Sequence, residues 1–383
     1  MLRTRKPPSP APQIAAVPTT TPFVAPEVLA RRYGHERMLR LGANESAFGP
    51  SPRAIAAMRE EATRNSWYGD PESYELRCAL ARRLGCAPEN ISVGSGIDDL
   101  HSLVVRTFCE PGSVALETEG TYATFAYHVA AYGVRLRTVP YRDDGTVDIE
   151  ALIDVARKER PKLVYLANPD NPSGTFVEPE AVAALRDSLN DDQVLVLDEA
   201  YADFVPPAKL PVPLLDPRVV RMRTFSKAYG LAGARVGYAV CDAALVSIFQ
   251  NIRQHFGVNR NGQIAALASL EDDAFIERVV AEVAKGREDY YALAAKHGLR
   301  AVPSLTNFVC IEIGTRERAE GFLEDMLRRG VFLRKPSAPP LDGYVRVTVG
   351  TPEERTQFAT IFADAINNLA DGTGVVARPA KPS

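Results

Sequence analysis

The 383-residue chain has little of what proteins use to build metal centres or disulfide frameworks. Its five histidines are scattered, with no HxxxH or HxH pair, so a histidine-built metal site is not expected. Five cysteines (Cys78, Cys86, Cys109, Cys241 and Cys310) form no CxxC pair, and an odd count does not close into a framework. They read as buried thiols of a reducing compartment, the cytoplasm. No apolar run approaches the ~18 residues of a membrane-spanning helix. Charge of one sign is also missing: Lys plus Arg is 45 and Asp plus Glu is 48, so the balance is 45 − 48 = −3. Neither a nucleic-acid nor a membrane-surface partner follows from that balance. What remains is an ordinary soluble globular composition, 46% hydrophobic and 24% charged, of a length that suits two or three domains at about 150 residues each.

Residues 1–22 carry Arg3, Arg5 and Lys6 and then six prolines among Ala, Ser and Thr. With no apolar segment after the basic start, this reads as a disordered tail, with a mitochondrial-type presequence as the lesser alternative. Residues 372–383 read as a second tail. In between, helical and strand periods alternate. Helices are predicted over Pro52–Ala62, Tyr74–Leu84, Asp98–Phe108, Tyr122–Tyr132, Ile149–Lys158 and Pro179–Leu189. Strands are predicted over Ile91–Val93, Val114–Leu116, Arg137–Val139, Leu163–Leu166, Val194–Leu197, Val219–Thr224 and Val236–Val240. Such alternation means βαβ units and a mostly parallel sheet sandwiched by helices. From about residue 262 the rhythm changes. A long helix (Asp273–His297) leads to strands near Asn307–Ile313, Val331–Arg334 and Tyr344–Val349, with helices over Arg318–Arg329 and Pro352–Leu369. The expected organisation is an α/β large domain (49–262), a smaller α+β C-terminal domain (263–371) and an N-terminal arm (23–48) that contributes to the small domain. No internal repeat is visible.

Open parallel sheets bind ligands beyond the carboxyl ends of their strands, so the residues that follow each strand are the candidates. After Ile91–Val93 comes Gly94-Ser95-Gly96, then a helix with Asp98 and Asp99 in its first turn. Such a turn can grip a phosphate with backbone N–H groups and the helix dipole, although many βα turns carry the same residues for geometry alone. After Leu163–Leu166, Asn168-Pro169-Asp170-Asn171-Pro172-Ser173-Gly174 sets two Asn-Pro steps in a rigid turn that fixes an asparagine amide. After Val194–Leu197, Asp198-Glu199-Ala200-Tyr201 puts a carboxylate at the end of a buried strand, where it needs a cation or strong donors. After Val219–Thr224 comes Phe225-Ser226-Lys227, then Gly230 to Gly237 with Arg235.

Each feature alone has a bland explanation. Together they match one cofactor, pyridoxal 5′-phosphate, which needs a Schiff-base lysine, a phosphate cradle, an acid at its pyridine nitrogen, donors to its ring oxygen and an aromatic on its face.

With these motifs in view, the chain resembles the class I/II (fold type I) pyridoxal-phosphate aminotransferases, most closely the histidinol-phosphate branch, from about Leu39 to Asp371. The resemblance is carried by Leu41-Gly42-Ala43-Asn44-Glu45-Ser46 with Phe48-Gly49-Pro50-Ser51-Pro52, by Tyr68-Gly69-Asp70-Pro71, and by the Asn-Pro-x-Asn-Pro-Ser-Gly turn. Asp198-Glu199-Ala200-Tyr201, Thr224-Phe225-Ser226-Lys227 and Arg346-Val347-Thr348-Val349-Gly350 complete it. It implies a transaminase in which Lys227 bears the Schiff base and shuttles the proton. By the same resemblance, Asp198 pairs with the pyridinium nitrogen, Asn171 and Tyr201 bond the ring oxygen, and Tyr122 stacks on the ring. The phosphate would lie on Ser95, Gly96, Ile97, Ser226 and Arg235, with Tyr68 reaching it from the partner in a homodimer with composite sites. Arg346 would clamp the glutamate carboxylate, Arg334 would assist with a substrate phosphate, and Asn44 would lie near the substrate.

The chain departs from the pattern at three places. Ile97 stands where relatives often carry a small polar residue. Gly120-Thr121, not a proline-led turn, precedes the stacking aromatic, which leaves Tyr122 and Phe125 both open. The N-terminal Pro-Tyr expected near the substrate phosphate is replaced by Ala25-Pro26-Glu27-Val28-Leu29, with no tyrosine until Tyr33, and an anionic Glu27 there would repel a phosphate. The amino donor is therefore open between histidinol phosphate, with 2-oxoglutarate as acceptor, and another amino acid such as an aromatic one. Phospho-amino-acid decarboxylation and a non-catalytic cofactor-fold protein are the remoter alternatives.

Overall fold

The computed structural model describes residues 8–15, 17, 24–210 and 215–370. The expected tail at 372–383 lies outside the described residues, as does most of 1–22. Helices are α1 (Pro12–Ala15), α2 (Pro26–Tyr33), α3 (Pro52–Glu61), α4 (Tyr74–Leu84), α5 (Ile97–Phe108), α6 (Ala123–Ala131), α7 (Ile149–Glu159), α8 (Pro179–Ser188), α9 (Ala243–Ile252), α10 (Arg260–Ser269), α11 (Asp273–Lys296), α12 (Arg316–Arg328) and α13 (Pro352–Ala370). Strands are β1 (Leu39–Arg40), β2 (Ile91–Gly94), β3 (Val114–Thr118), β4 (Arg135–Val139), β5 (Leu163–Ala167), β6 (Val194–Asp198), β7 (Val219–Thr224), β8 (Gly237–Val240), β9 (Phe308–Glu312), β10 (Val331–Phe332) and β11 (Tyr344–Thr348).

Seven strands form one sheet in the order β2-β8-β7-β6-β5-β3-β4. Only β8 runs against its neighbours, and the remaining pairs are parallel. The inner parallel strands β3, β5, β6 and β7 are buried on both faces, whereas β4 at the edge is largely exposed, and their period of two sorts the inner residues between two cores. On β6, Val194 and Val196 pack with α5, α6 and α9, while Leu195 and Leu197 face α7 and α8. On β5, Leu163 and Tyr165 take the first face and Val164 and Leu166 the second. Each fully buried leucine stabilises the fold by roughly 1.5–3 kcal/mol. Continuing the alternation, Asp198 at the end of β6 shares a face with Val196, towards α5.

β9 and β11 form an antiparallel pair, extended by a bridge between Arg334 and Arg346. A third core joins β9 and β11 with α11, α12 and α13. β1, from the start of the chain, pairs with β10, and Tyr33 of α2 donates to Glu324 of α12 at 2.7 Å. The N-terminal arm is thus tied to the C-terminal elements.

Four helices, α1, α2, α9 and α10, are additions to the sequence reading, and the short α1 lies within the stretch expected to be a disordered tail. Local caps open two of them: Asp242 accepts from Ala244 N at 2.8 Å before α9, and Asn259 accepts from Gly262 N at 2.7 Å before α10. Residue 262, where the sequence rhythm changes, lies inside α10. All five cysteines are free. Cys241 and Cys310 are buried as expected. Cys78, in the middle of α4, and Cys86 and Cys109, just beyond the ends of α4 and α5, are only partly buried, which corrects the expectation for these three. Among the described residues no helix is long and apolar enough to cross a membrane.

Candidate active site

A cavity of about 750 Å³ opens beyond the carboxyl ends of β5, β6 and β7. Eleven of the fourteen residues singled out from the sequence line it: Asn44, Ile97, Tyr122, Asn171, Asp198, Tyr201, Ser226, Lys227, Arg235, Arg334 and Arg346. Ser95 and Gly96 lie immediately beside it. Tyr68 does not line it: its side chain is exposed and rests on Phe256, with ring centroids 4.6 Å apart.

Lys227 follows the turn after β7. Thr224 donates to Ser226 Oγ at 2.9 Å and accepts from Ser226 N at 3.0 Å, which fixes the turn that presents the lysine. Burial, reinforced by Arg346, brings the Lys227 ammonium down to about 8, against the opposing pull of Glu45 and Asp98. A substantial fraction of neutral amine is then present at physiological pH, as a nucleophile requires.

Asp198 is held from three sides. Ala200 N donates to Oδ1 at 3.0 Å, Tyr165 Oη donates to Oδ2 at 2.9 Å, and His101 Nε2 lies 3.4 Å from Oδ2. Next to it, Glu199 is buried between Arg221 and Arg223, which together hold its carboxyl below the ordinary value against the cost of burial.

Tyr201 Oη accepts from Asn44 Nδ2 at 2.8 Å and from Asn171 Nδ2 at 3.4 Å. Burial pushes this phenol up to about 12, so it keeps a proton to donate. Asn44 occupies the left-handed region at φ 54°, and Thr348 of β11 donates to its Oδ1 at 3.0 Å. Backbone strain of this kind persists where the surroundings over-determine it. The Asn168–Pro169 peptide is cis. Asp170 accepts from Ser173, Thr121 and Tyr141, which locks the turn carrying Asn171.

Arg346 is buried. It donates to Asn171 Oδ1 and, at 3.0 Å, to Gly42 O, while its Nε has no partner. Arg334 sits opposite it on the bridge, and burial together with Arg346 depresses the Arg334 guanidinium below its ordinary value. Both guanidinium groups line the cavity close enough to repel each other, and such a pair of cations suits an anionic group. At the outer rim Arg40 pairs with both Glu27 and Glu45. The repulsion of a phosphate expected from Glu27 is thereby reduced and not removed, because one guanidinium meets two carboxylates.

The candidate phosphate cradle is the N-terminus of α5. Gly96 caps the helix at φ 85°, a conformation that L side chains rarely adopt, and no side chain caps the first turn. A Cβ on Gly237 of β8 would lie 3.0 Å from Gly96 C and Ile97 N, so strand and cradle pack backbone to backbone. Arg235 leans over Gly96, donates to Ala232 O at 3.0 Å and has no carboxylate partner among the described residues. The Ser95 hydroxyl is directed away, onto Gly257 O, which leaves the cradle to backbone N–H groups, Ser226 and Arg235. Of the two candidate aromatics, Tyr122 lines the cavity, and Phe125 is fully buried behind it, stacked on Tyr165 at 4.5 Å.

The aminotransferase class I and II family model matches residues 36–362. The chain belongs to this aminotransferase family. It is 37% identical over 362 residues to a histidinol-phosphate aminotransferase of Roseiflexus castenholzii, covering 92% of this chain and 97% of that protein. A histidinol-phosphate aminotransferase of Bacillus velezensis is 33% identical over 89% of this chain and 95% of its own length. Among solved structures, that of the Sinorhizobium meliloti histidinol-phosphate aminotransferase in complex with pyridoxal-5′-phosphate superposes with a TM-score of 0.90 at 42% identity, covering 94% of this chain and 97% of that one.

As a member of the family the protein is a transaminase that works with pyridoxal 5′-phosphate, on the fold-type-I scaffold expected from the sequence. The aminotransferase cavity fits that group. An amine of lowered pKa, a carboxylate, an uncapped helix N-terminus and a guanidinium with only carbonyl partners surround one space. Two residues at this site, Tyr165 and His101, are absent from the sequence reading. Both are polar side chains at positions whose period points into the core of an otherwise apolar strand or helix, and that mismatch is the signal that could have found them.

Proposed function

We propose that this aminotransferase moves the amino group of L-histidinol phosphate to 2-oxoglutarate, with the reactants alternating in one cavity. The observation that carries the donor is the Arg334–Arg346 pair, whose buried Arg346 Nε is without a partner. A phosphate from the donor and a carboxylate from glutamate or 2-oxoglutarate present the same planar two-point demand in turn. The histidinol-phosphate names of the relatives support the same donor. Glu27, at the rim, favours a donor with an uncharged side chain, such as an aromatic amino acid, as the second reading.

The bound cofactor supplies an electron sink for the pair released at the substrate Cα. Lys227 holds it covalently and carries the proton at Cα. Asp198 keeps the ring nitrogen protonated, Tyr201 and Asn171 hold the ring oxygen, and Tyr122 covers the ring face. Ser226, Arg235 and the backbone from Ser95 to Ile97 hold the phosphate, and Asn44 lies beside the substrate. Tyr68 serves the site of a second copy in a homodimer. Its support is an exposed aromatic group of Tyr68 (78% accessible), Trp67 (65%) and Phe256 (54%), unusual on a free surface. The five free thiols suit a cytoplasmic location.

The test is a half-reaction screen of the holoenzyme with histidinol phosphate, phenylalanine, glutamate and phosphothreonine, following conversion of the cofactor to its amine form by absorbance. Histidinol phosphate and glutamate are expected to convert it. A response to phenylalanine in place of histidinol phosphate selects the second reading. Molar mass in solution, with restoration of activity on mixing Tyr68→Phe and Lys227→Ala chains, tests the shared site.

A further inference from the structure

His101 is wholly inaccessible to solvent, and neither ring nitrogen has a well-formed hydrogen bond. Burying an imidazole in this way is costly unless it has a partner. Its surroundings are aromatic: Tyr165 meets it edge-on at 5.4 Å, Phe125 edge-on at 5.7 Å, and Tyr122 lies at 6.2 Å. The polar atom within reach is Asp198 Oδ2, 3.4 Å from Nε2. With no acceptor at Nδ1, the tautomer that suits this carboxylate carries its proton on Nε2, which stands within 3.4 Å of Oδ2 without the alignment of a formed hydrogen bond.

A carboxylate has about four lone-pair directions. Ala200 N takes one on Oδ1, Tyr165 Oη takes one on Oδ2, and His101 addresses the second on Oδ2. One direction is left, on Oδ1. We propose that His101 is a positioning residue that fixes the rotation of Asp198, so that its remaining lone pair meets the N–H of the cofactor ring. The proposal rests on the assignment of Asp198 to the ring nitrogen made above. It also gives α5 two tasks: its first turn faces the phosphate, and His101, one turn further along the same side, sets the acid at the other end of the ring. The phosphate cradle and the ring-nitrogen acid are thereby held in register by one helix.

The test titrates apoenzyme with pyridoxal phosphate and, in parallel, with 1-deazapyridoxal phosphate, whose ring has C–H in place of nitrogen. His101→Phe keeps the packing and removes the donor, and His101→Gln keeps an N–H. His101→Phe is expected to weaken binding of the natural cofactor by about tenfold, the size of one hydrogen bond to a charged group. It should change the deaza cofactor's affinity by less than about twofold, and His101→Gln should recover most of the loss. The absorbance band of the lysine-linked natural cofactor should shift in His101→Phe and return in His101→Gln. An equal loss with both cofactors, or no loss with the natural one, overturns the proposal. If His101→Phe does not fold, His101→Met is read in the same way. Asp198→Ala separates the two levels: if it leaves natural-cofactor binding unchanged, the assignment of Asp198 fails, and if it weakens binding while His101→Phe does not, only the role of His101 fails.

Discussion

The inner wall of the cavity and its outer rim are built on different principles. Asp198, Lys227 and Asn171 sit at or just beyond the ends of adjacent parallel strands, where the register of β5, β6 and β7 fixes their spacing. Their partners are buried, so polar contacts there are strong and a lost one is expensive. At the rim, Glu27, Arg40 and Glu45 come from the arm, with side chains 58%, 42% and 36% accessible. Exposed pairs of this kind are worth about 0–1 kcal/mol. The inner wall is placed to carry the chemistry, and the rim to adjust which substrate enters.

Lys227→Ala tests the inner wall most severely. Turnover should fall by at least about three orders of magnitude, because the other amine that lines the cavity, Lys335, is committed to Pro336 O and Asp342 O. Steady-state assay of the purified holoenzyme checks this, and activity near wild type would break the comparison. Next comes Arg346→Ala, for which kcat/KM with glutamate should drop roughly a hundredfold through loss of a buried charge-assisted contact. Arg346→Lys should recover only part, because an ammonium cannot make the planar two-point contact.

Cofactor capture gives the third effect. The Lys227 ammonium stands near 8, below its ordinary value of 10.5, because burial and Arg346 disfavour the charged form. The neutral amine is the reactive form. Capture by apoenzyme should therefore slow about tenfold per pH unit below 8 and level off above it. Stopped-flow mixing across pH 6–10 measures this. A profile that keeps rising to pH 10 would mean an unperturbed lysine. The smallest effect belongs to the rim: Glu27→Gln should change kcat/KM for the phosphorylated donor by no more than about threefold and leave thermal stability within about 1 kcal/mol. A hundredfold change would move substrate recognition outward from Arg334 and Arg346.

The same contrast explains what could be read from the sequence. Val194–Leu197 announces a buried strand, and Asp198 ends it. Thr224 to Lys227 follows another such strand in the same way. One stretch of chain therefore shows both the scaffold and the reactive group. The pairing of β1 with β10 and the bridge between Arg334 and Arg346 join segments hundreds of residues apart or two separate strands, and no local period reports such contacts. Arg40 lies only 13 residues from Glu27 and 5 from Glu45, but the turns between α2, β1 and the loop beyond it carry no period that reports their contact, and Glu27 looked like an isolated repulsive charge. His101 and Tyr165 escaped differently. Each occupies a position on a regular core-facing stripe, and only the fold shows that Asp198 lies at the end of both side chains.

The most direct measurement mixes holoenzyme with histidinol phosphate in the absence of any oxo acid and counts cofactor converted to the amine form per subunit. One equivalent is expected for the wild type, reversed by 2-oxoglutarate, and none for Lys227→Ala. Conversion that proceeds equally in the Lys227→Ala chain, or a wild-type enzyme that glutamate converts and histidinol phosphate does not, would contradict it.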